Sequence, residues 1–179
     1  TAPTVAMNDI ALTNDPTPEL TGTVADTTAT VVVTIGSTDY PATNNGDGTW
    51  TLADDTVAAL VEGSTTVTVT ATDPAGNAGT DTGTVFVDST APNAPSVVLT
   101  NDSGSDGSDL ITNDGSLTVT PDEAGNAIEY SSDDATWSGT PPALSDGSNT
   151  VYVRELDPAG NPSPSASITF TLDTTAPTV

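Results

Sequence analysis

The chain has 179 residues, enough for one large domain or two small ones, and its 25 carboxylates face a single Arg and no Lys or His, a formal charge of −24. Nothing in it can neutralise nucleic-acid phosphates, so a nucleic-acid partner is excluded, and an anionic membrane surface would repel it. Without Cys there is no disulfide framework, without Cys or His zinc is disfavoured, and no apolar run approaches the ~20 residues that span a bilayer, so membrane insertion is not expected.

Thr-Ala-Pro begins at Thr1, Thr90 and Thr175, spacings of 89 and 85 residues, each suited to one small all-β domain; TAPTV both opens and closes the chain, as a slice cut at repeat boundaries would. In chain order, LTNDPTPELTG (12–22) leads into VVVTIGS (31–37), which reads as a strand, and GDGTWTL (46–52) follows. VAALVEGS (57–64) reads as a turn running into a strand. The strongest strand signal is STTVTVTAT (64–72), where Val67, Val69 and Ala71 alternate with Thr66, Thr68, Thr70 and Thr72. DPAGN (73–77) supplies a turn, and TGTVFVD (82–88) runs back as the partner strand.

The second half repeats the series: ITNDGSLTVTP (111–121), AIEYSS (127–132), SDDATWSG (132–139), NTVYVREL (149–156), DPAGN (157–161) and ASITFTLD (166–173). An identical five-residue turn 84 residues on marks a duplication, and Trp50 and Trp137 fall at matching positions, where both are expected to pack in cores or on sheets. No helical i, i+3, i+4 pattern persists, and the periodicity argues against disorder despite the acidity. The expectation is all-β: two tandem immunoglobulin-like β-sandwich domains, 1–89 and 90–179, of seven strands each. An odd strand count puts the termini at opposite poles, so tandem units would stand end to end as a rod.

NDPTPELTGTV (14–24), DGTWTL (47–52), TVTATDPAGN (68–77) and VDSTAP (87–92), in that order, resemble the bacterial immunoglobulin-like repeats of giant repeats-in-toxin adhesins. They are especially similar to the extender repeats of ice-binding and biofilm adhesins of marine bacteria. The resemblance covers nearly all of 1–90. The second unit keeps ITND, DPAGN and DTTAP, lacks the LTGTV segment, and has a longer acidic loop at 101–116. The resemblance implies a monomeric structural extender on the outside of a bacterial cell, secreted and stiffened by Ca2+. Its partners would be neighbouring repeats of the same chain, and it would project distal adhesive domains, which bind the target, for adhesion or biofilm formation. The alternatives are a sugar- or protein-binding module of an adhesin, or a spacer in a secreted polysaccharide-degrading enzyme.

In seven alternating strands A to G, the BC and FG loops lie at the N-terminal pole and strand G ends at the other. Asp88 ends strand G of the first unit, so it would face Asp122, Glu123, Asp157 and Asn161 of the second. These groups with main-chain carbonyls make the hard-oxygen environment of calcium, which takes six to eight ligands at roughly 2.3–2.6 Å; magnesium fits less well. Asp26, Asp73 and Asn77 at the first pole and Asp173 at the last are the equivalent half-sites. The loop NDSGSDGSD (101–109), read as the AB loop, places Asp102, Asp106 and Asp109 near Asp114 or Asp173; it lacks EF-hand spacing, and a flexible acidic loop is the alternative. Asp9 and Asp15 rank below these.

Catalysis is not expected. Asp54-Asp55 and Asp133-Asp134 are neighbours in sequence, and adjacent residues of a strand point to opposite faces. The Thr ladder at 66–72 is a normal wet face, and one strand is too narrow for an ice-matching lattice. Arg154, the only cation, is expected to neutralise Glu155 or Glu129.

Overall fold

A computed structural model describes residues 1–178 and divides the chain into two compact units, Thr1–Ser89 and Thr90–Val179; the Val179 that completes the closing TAPTV lies outside the described residues.

The first unit is built of β1 (Val5–Met7), β2 (Ile10–Thr13), β3 (Leu20–Val24), β4 (Thr30–Ile35), β5 (Thr38–Asn44), β6 (Thr49–Leu52), β7 (Gly63–Thr72) and β8 (Ala78–Val87). Their order is β1-β3-β6-β5-β4-β7-β8-β2. β5 pairs with β4 through 38–42 and with β6 through 43–44, so it passes from one layer of the sandwich to the other. The first edge segment does the same: β1 lies antiparallel to β3, and after Asn8-Asp9 the chain crosses so that β2 lies parallel to β8. The inward residues Leu20, Val24, Val31, Val33, Trp50, Leu52, Val67, Val69, Ala71, Val85 and Val87 form one continuous core. That inward set is the apolar half of each period-2 pattern.

The second unit contains β9 (Ser96–Leu99), β10 (Ile111–Thr112), β11 (Leu117–Thr120), β12 (Ala127–Ser131), β13 (Gly147–Leu156) and β14 (Ala166–Leu172). One sheet runs β10-β14-β13-β12 and the other pairs β11 with β9. Its plan repeats the first: β9 with β11 matches β1 with β3, and β10, parallel to β14, matches β2 on β8. Its buried apolar set is smaller, Val151, Val153, Phe170 and Leu172, supported by half-buried Val97, Leu117, Val119, Ile128, Tyr130 and Leu144.

Three sequence expectations change. The seven-strand count gives way to eight named strands in the first unit and six in the second, among the described residues. The acidic 101–109 stretch is not an AB loop: it lies between β9 and β10, where the edge segment crosses between sheets. Trp50 and Trp137 are not equivalent. Trp50 is 0% exposed at the centre of the first core. Trp137 follows β12 and carries the Arg154 guanidinium 4.3 Å from its ring centroid, outside the second core. Among the described residues, the first unit's hairpin β5–β6 has no counterpart of its length in the second, where only a Tyr130–Ser138 bridge follows β12, so the matched letters fall in different local structures.

Candidate functional site

The DPAGN turns link β7 to β8 and β13 to β14, and both close in the same way. Asp73 Oδ1 accepts from the amides of Ala75 (2.9 Å) and Asn77 (2.8 Å), while its Oδ2 accepts from Asn77 Nδ2 at 2.7 Å. Asp157 Oδ1 accepts from the Asn161 amide at 2.8 Å and Oδ2 from Asn161 Nδ2 at 2.8 Å. The Asp and Asn of this motif therefore build the turn with their own side chains. The Asn77 side chain and amide hold the Asp73 carboxyl below its usual range. Burial works against ionisation of Asp157, yet the bonds from Asn161 still leave its carboxyl lowered.

Beside the first of these turns lies the 25–29 loop between β3 and β4. Asp26 Oδ1 accepts from the Thr28 hydroxyl (2.7 Å) and amide (2.8 Å), which lower its pKa against desolvation and the like charge of Asp73. Asp26, Asp73 and Asn77 are thus brought to one end of the first unit, with the carboxyl groups engaged locally. Asp88 follows β8 and donates its amide to Thr13 at 2.9 Å; Asp173 follows β14 and donates to Thr112 at 2.9 Å. The two residues occupy the same place in the repeat.

In the second unit the 121–126 loop joins β11 to β12. Asp122 Oδ2 accepts from Asn93 Nδ2 at 2.9 Å. Under the loop lies Glu155 of β13, 0% exposed, which accepts from the Asp122 amide and from Asn126 Nδ2 at 2.9 Å. Of the two partners expected for Arg154, Glu155 and Glu129, only one is engaged. Arg154 pairs with Glu129, with Nε at 2.8 Å and Nη2 at 2.7 Å from Glu129 Oε2. Alternation settles it: Val151, Val153 and Glu155 face inward, whereas Arg154 and its cross-strand partner Glu129 face outward.

The 101–109 loop is organised by the buried hydroxyl of Thr112, which donates toward the carbonyls of Asn101 (2.8 Å) and Asp114 (3.1 Å). Asp106 Oδ1 accepts from Ser108, Asp109 Oδ1 from the Ile111 amide at 3.0 Å, and Asp102 Oδ2 from the Leu110 amide at 3.0 Å. Asp102 Oδ1 is the one buried side-chain polar atom without a hydrogen-bond partner among the described residues. In kind, these donors suit a hard cation: carboxylates, carboxamides and carbonyls, with no nitrogen or sulfur ligand. Among the described residues, however, no group of three or more acidic side chains is gathered closely enough to hold a metal ion.

The paired acids serve turns. Asp55 and Asp134 both have left-handed backbones, φ 59° and 57°, a conformation that Asp tolerates better than most residues. Asp133 accepts from the amides of Thr136 (2.7 Å) and Ala135 (3.0 Å) and from the Ser131 hydroxyl (2.8 Å), which together drive its pKa far down. Asp54 is raised, by burial first and then by the charges of Asp15 and Asp55. The Thr ladder is wider than one strand: Thr66, Thr68 and Thr70 face Thr84, Thr82 and Thr80 of β8, and Thr68 also faces Thr34 of β4. Cross-strand Thr pairs of this sort stabilise a wet sheet face. No pocket opens among the described residues.

Comparison with known proteins adds the following. The bacterial Ig-like domain family matches residues 4–89 and 115–174. No curated protein matches the sequence. Among solved structures, a tetra-tandem repeat from the extending region of a large adhesion protein is 28% identical, with a TM-score of 0.40 over 98% of this chain and 50% of that one. A 1.5-MDa bacterial ice-binding adhesin is 22% identical, with a TM-score of 0.49 over 97% of this chain and 65% of that one. A Ca2+-stabilised adhesin of an Antarctic bacterium is 20% identical, with a TM-score of 0.50 over 96% of this chain and 49% of that one. The chain thus spans between about half and two thirds of these three structures.

Proposed function

We propose that this chain, which belongs to the bacterial Ig-like domain family, is a pair of extender domains from a secreted bacterial cell-surface adhesin, acting as a spacer that holds adhesive domains of the parent protein away from the cell. The observation that carries the reading is the repeat itself. The same edge crossing, the same parallel closure and the same DPAGN turn recur in both units. The adhesins among the structurally similar proteins support the same role. On this reading the partners are neighbouring repeats of one chain, the segment is monomeric, and the surface it serves is reached by other domains in adhesion or biofilm formation.

Calcium is the second part of the proposal. It would be taken where one unit follows the next, by Asp88 with Asp122, Glu123, Asp157 and Asn161, and in the equivalent half-sites Asp26, Asp73 and Asn77 at one end and Asp173 at the other. The 101–109 loop, with Asp102, Asp106 and Asp109, is a further local candidate. Two facts support this: a charge of −24 against one Arg leaves the carboxylates to be balanced by bound or mobile cations, and Asp102 Oδ1 is buried without a partner. The ion's chemistry is electrostatic. An ion that binds only the folded, aligned state stabilises it by RT ln(1 + [Ca]/Kd), about 2.7 kcal/mol at a hundredfold excess over Kd.

The test is thermal melting and small-angle X-ray scattering in calcium, in EGTA and in equimolar magnesium. Calcium should raise Tm and stiffen the chain where magnesium does not. Equal effects of both ions would reduce the role of calcium to screening. A second reading, a glycan-binding module, is favoured by one observation: Trp137 lies outside the core, stacked on Arg154. Retention on a glycan array that Trp137→Ala abolishes would decide for it.

A further inference from the structure

The side of the sandwich that β5 and β6 close in the first unit is open in the second. On β3, the main-chain groups of Leu20 and Gly22 point away from β1 and meet β6, at Leu52 and Trp50, and the Val24 amide donates to the Gly48 carbonyl at 2.9 Å. β11 takes the place of β3. The Thr100 amide donates to the Ser116 carbonyl at 2.8 Å, so by antiparallel alternation Thr118 and Thr120 bond to β9, while the amides and carbonyls of Leu117 and Val119 point outward. Among the described residues no strand lies on that edge. Across the same opening, Tyr130 of β12 exchanges two bonds with Ser138, at 2.7 and 3.0 Å, and no strand continues from them along β12.

The sequence explains why the chain does not close the gap itself. Residues 139–146, which follow the bridge, form no strand, and Pro141-Pro142 within them lack two of the amides a ladder needs. The core is covered less as a result: Leu20 is 0% exposed on β3, whereas Leu117 and Val119 on β11 are half-buried. A free edge is a template for another strand, and proteins usually blunt it with charge, proline or a bulge. β11, with the residues Leu-Thr-Val-Thr in unbroken register, carries none of these.

We propose that the outer edge of β11 is a strand-acceptor site, and that its occupant is an extended basic segment of another protein, apolar at alternate residues and flanked by Lys or Arg. Main-chain bonds to Leu117 and Val119 supply the affinity, and the alternate apolar side chains cover the half-buried core residues. β6 shows the fit: its Trp50 and Leu52, two residues apart, stand opposite Gly22 and Leu20 in an antiparallel pair. Charge selects the partner. At −24 with a single Arg, a second copy of this chain is repelled and a cationic strand is drawn in. The site needs no metal ion and does not depend on the calcium reading.

The experiment is an NMR titration of the full chain in EGTA with the peptide Lys-Gly-Thr-Trp-Thr-Leu-Lys, the 48–52 segment between two lysines. Exchange of the Leu117 and Val119 amides should slow about tenfold at saturation, the scale of one hydrogen bond gained, with β3 unchanged. Methylating the peptide's Trp and Leu amides should weaken binding about tenfold or more. Val119→Pro, which removes an outward amide and leaves the β9 ladder intact, should do the same; the methylated peptide carries the test if this variant does not fold. Glutamates in place of the lysines should abolish binding. A lysine peptide that does not bind overturns the site. So does one that binds no better than a lysine-flanked Gly-Ser peptide, or that tolerates both methylation and Val119→Pro, since charge attraction then suffices. Dimerisation of the wild type that protects Leu117 and Val119 without peptide overturns the choice of partner in favour of a second copy.

Discussion

The indole N–H of Trp50 is donated to the carbonyl of Ala6 at 2.9 Å, so the largest core side chain of the first unit also holds the first edge strand in place. Trp50→Phe removes that donor and opens space in the core. A loss of roughly 2–4 kcal/mol in the stability of the first unit is expected from urea unfolding. Trp137→Phe removes only a stacked cation and should cost about 1 kcal/mol or less in the second unit. Equal losses would contradict the different placements of the two residues.

Gly22 is the floor on which this contact rests. A Cβ there would run into the Ala6 carbonyl and stand 2.6 Å from Trp50 Nε1. Gly22→Ala should therefore displace β1 and destabilise the first unit by ~1–3 kcal/mol, the range of overpacking. Gly139→Ala meets nothing within 4 Å and should stay within about 0.5 kcal/mol of the wild type. Thermal melting of both variants distinguishes them.

Arg154 is the only residue after which a trypsin-like protease can cut. It lies within β13, paired with β12, its guanidinium on Glu129 and Trp137. Native chain should resist trypsin, and cleavage should appear as a single cut after residue 154 at a rate that tracks the unfolded fraction of the second unit. Rapid cutting without denaturant would show that β13 opens locally.

Acid should first help and then harm. Between neutrality and about pH 4, protonation of ordinary carboxylates relieves the repulsion of a −24 chain, so Tm should rise at low salt and less at high salt. Asp26, Asp73, Asp133 and Asp157 are held below the unfolded value. Their contribution is complete above an unfolded pKa of about 3.9 and disappears as the pH falls through the lower folded values. Tm measured from pH 7 to 2 should therefore pass through a maximum near the lower carboxylate range.

Asp54 works in the opposite direction. Desolvation and the neighbouring charges of Asp15 and Asp55 raise its pKa, so its ionisation opposes folding at neutral pH, and the opposition fades as the pH falls through the raised folded value and is gone below the unfolded one. Asp54→Asn should raise Tm at pH 7 and leave it unchanged at pH 3. A loss at pH 7 would mean that the carboxylate makes a contact the Asn cannot.

Strands with strict alternation were legible in the sequence: Val67, Val69 and Ala71 lie inward as their spacing implies, and the DPAGN turns close as the residue types require. β5 was not legible, because TDYPATN has Pro, Asp and Asn where strands favour branched side chains; it exists by pairing with β4 and β6. Glu155 was half legible. The period placed it inward with Val151 and Val153, but its charge argued for the surface, and only the donors of a loop distant in sequence resolve the conflict. Trp137 misled because a matching letter stood in for a matching strand.

The parallel closure of each unit has a mechanical consequence. The strand near a unit's beginning lies beside the strand at its end and points the same way, so tension applied along the chain slides the two past each other and strains all their hydrogen bonds together instead of unzipping them singly. The first unit resists with β2 registered on β8 at Ile10 and Thr13, with an irregularity between them, and the second with Ile111 and Thr112 registered consecutively on β14. Under load, both units should yield by shear of this same short parallel pair.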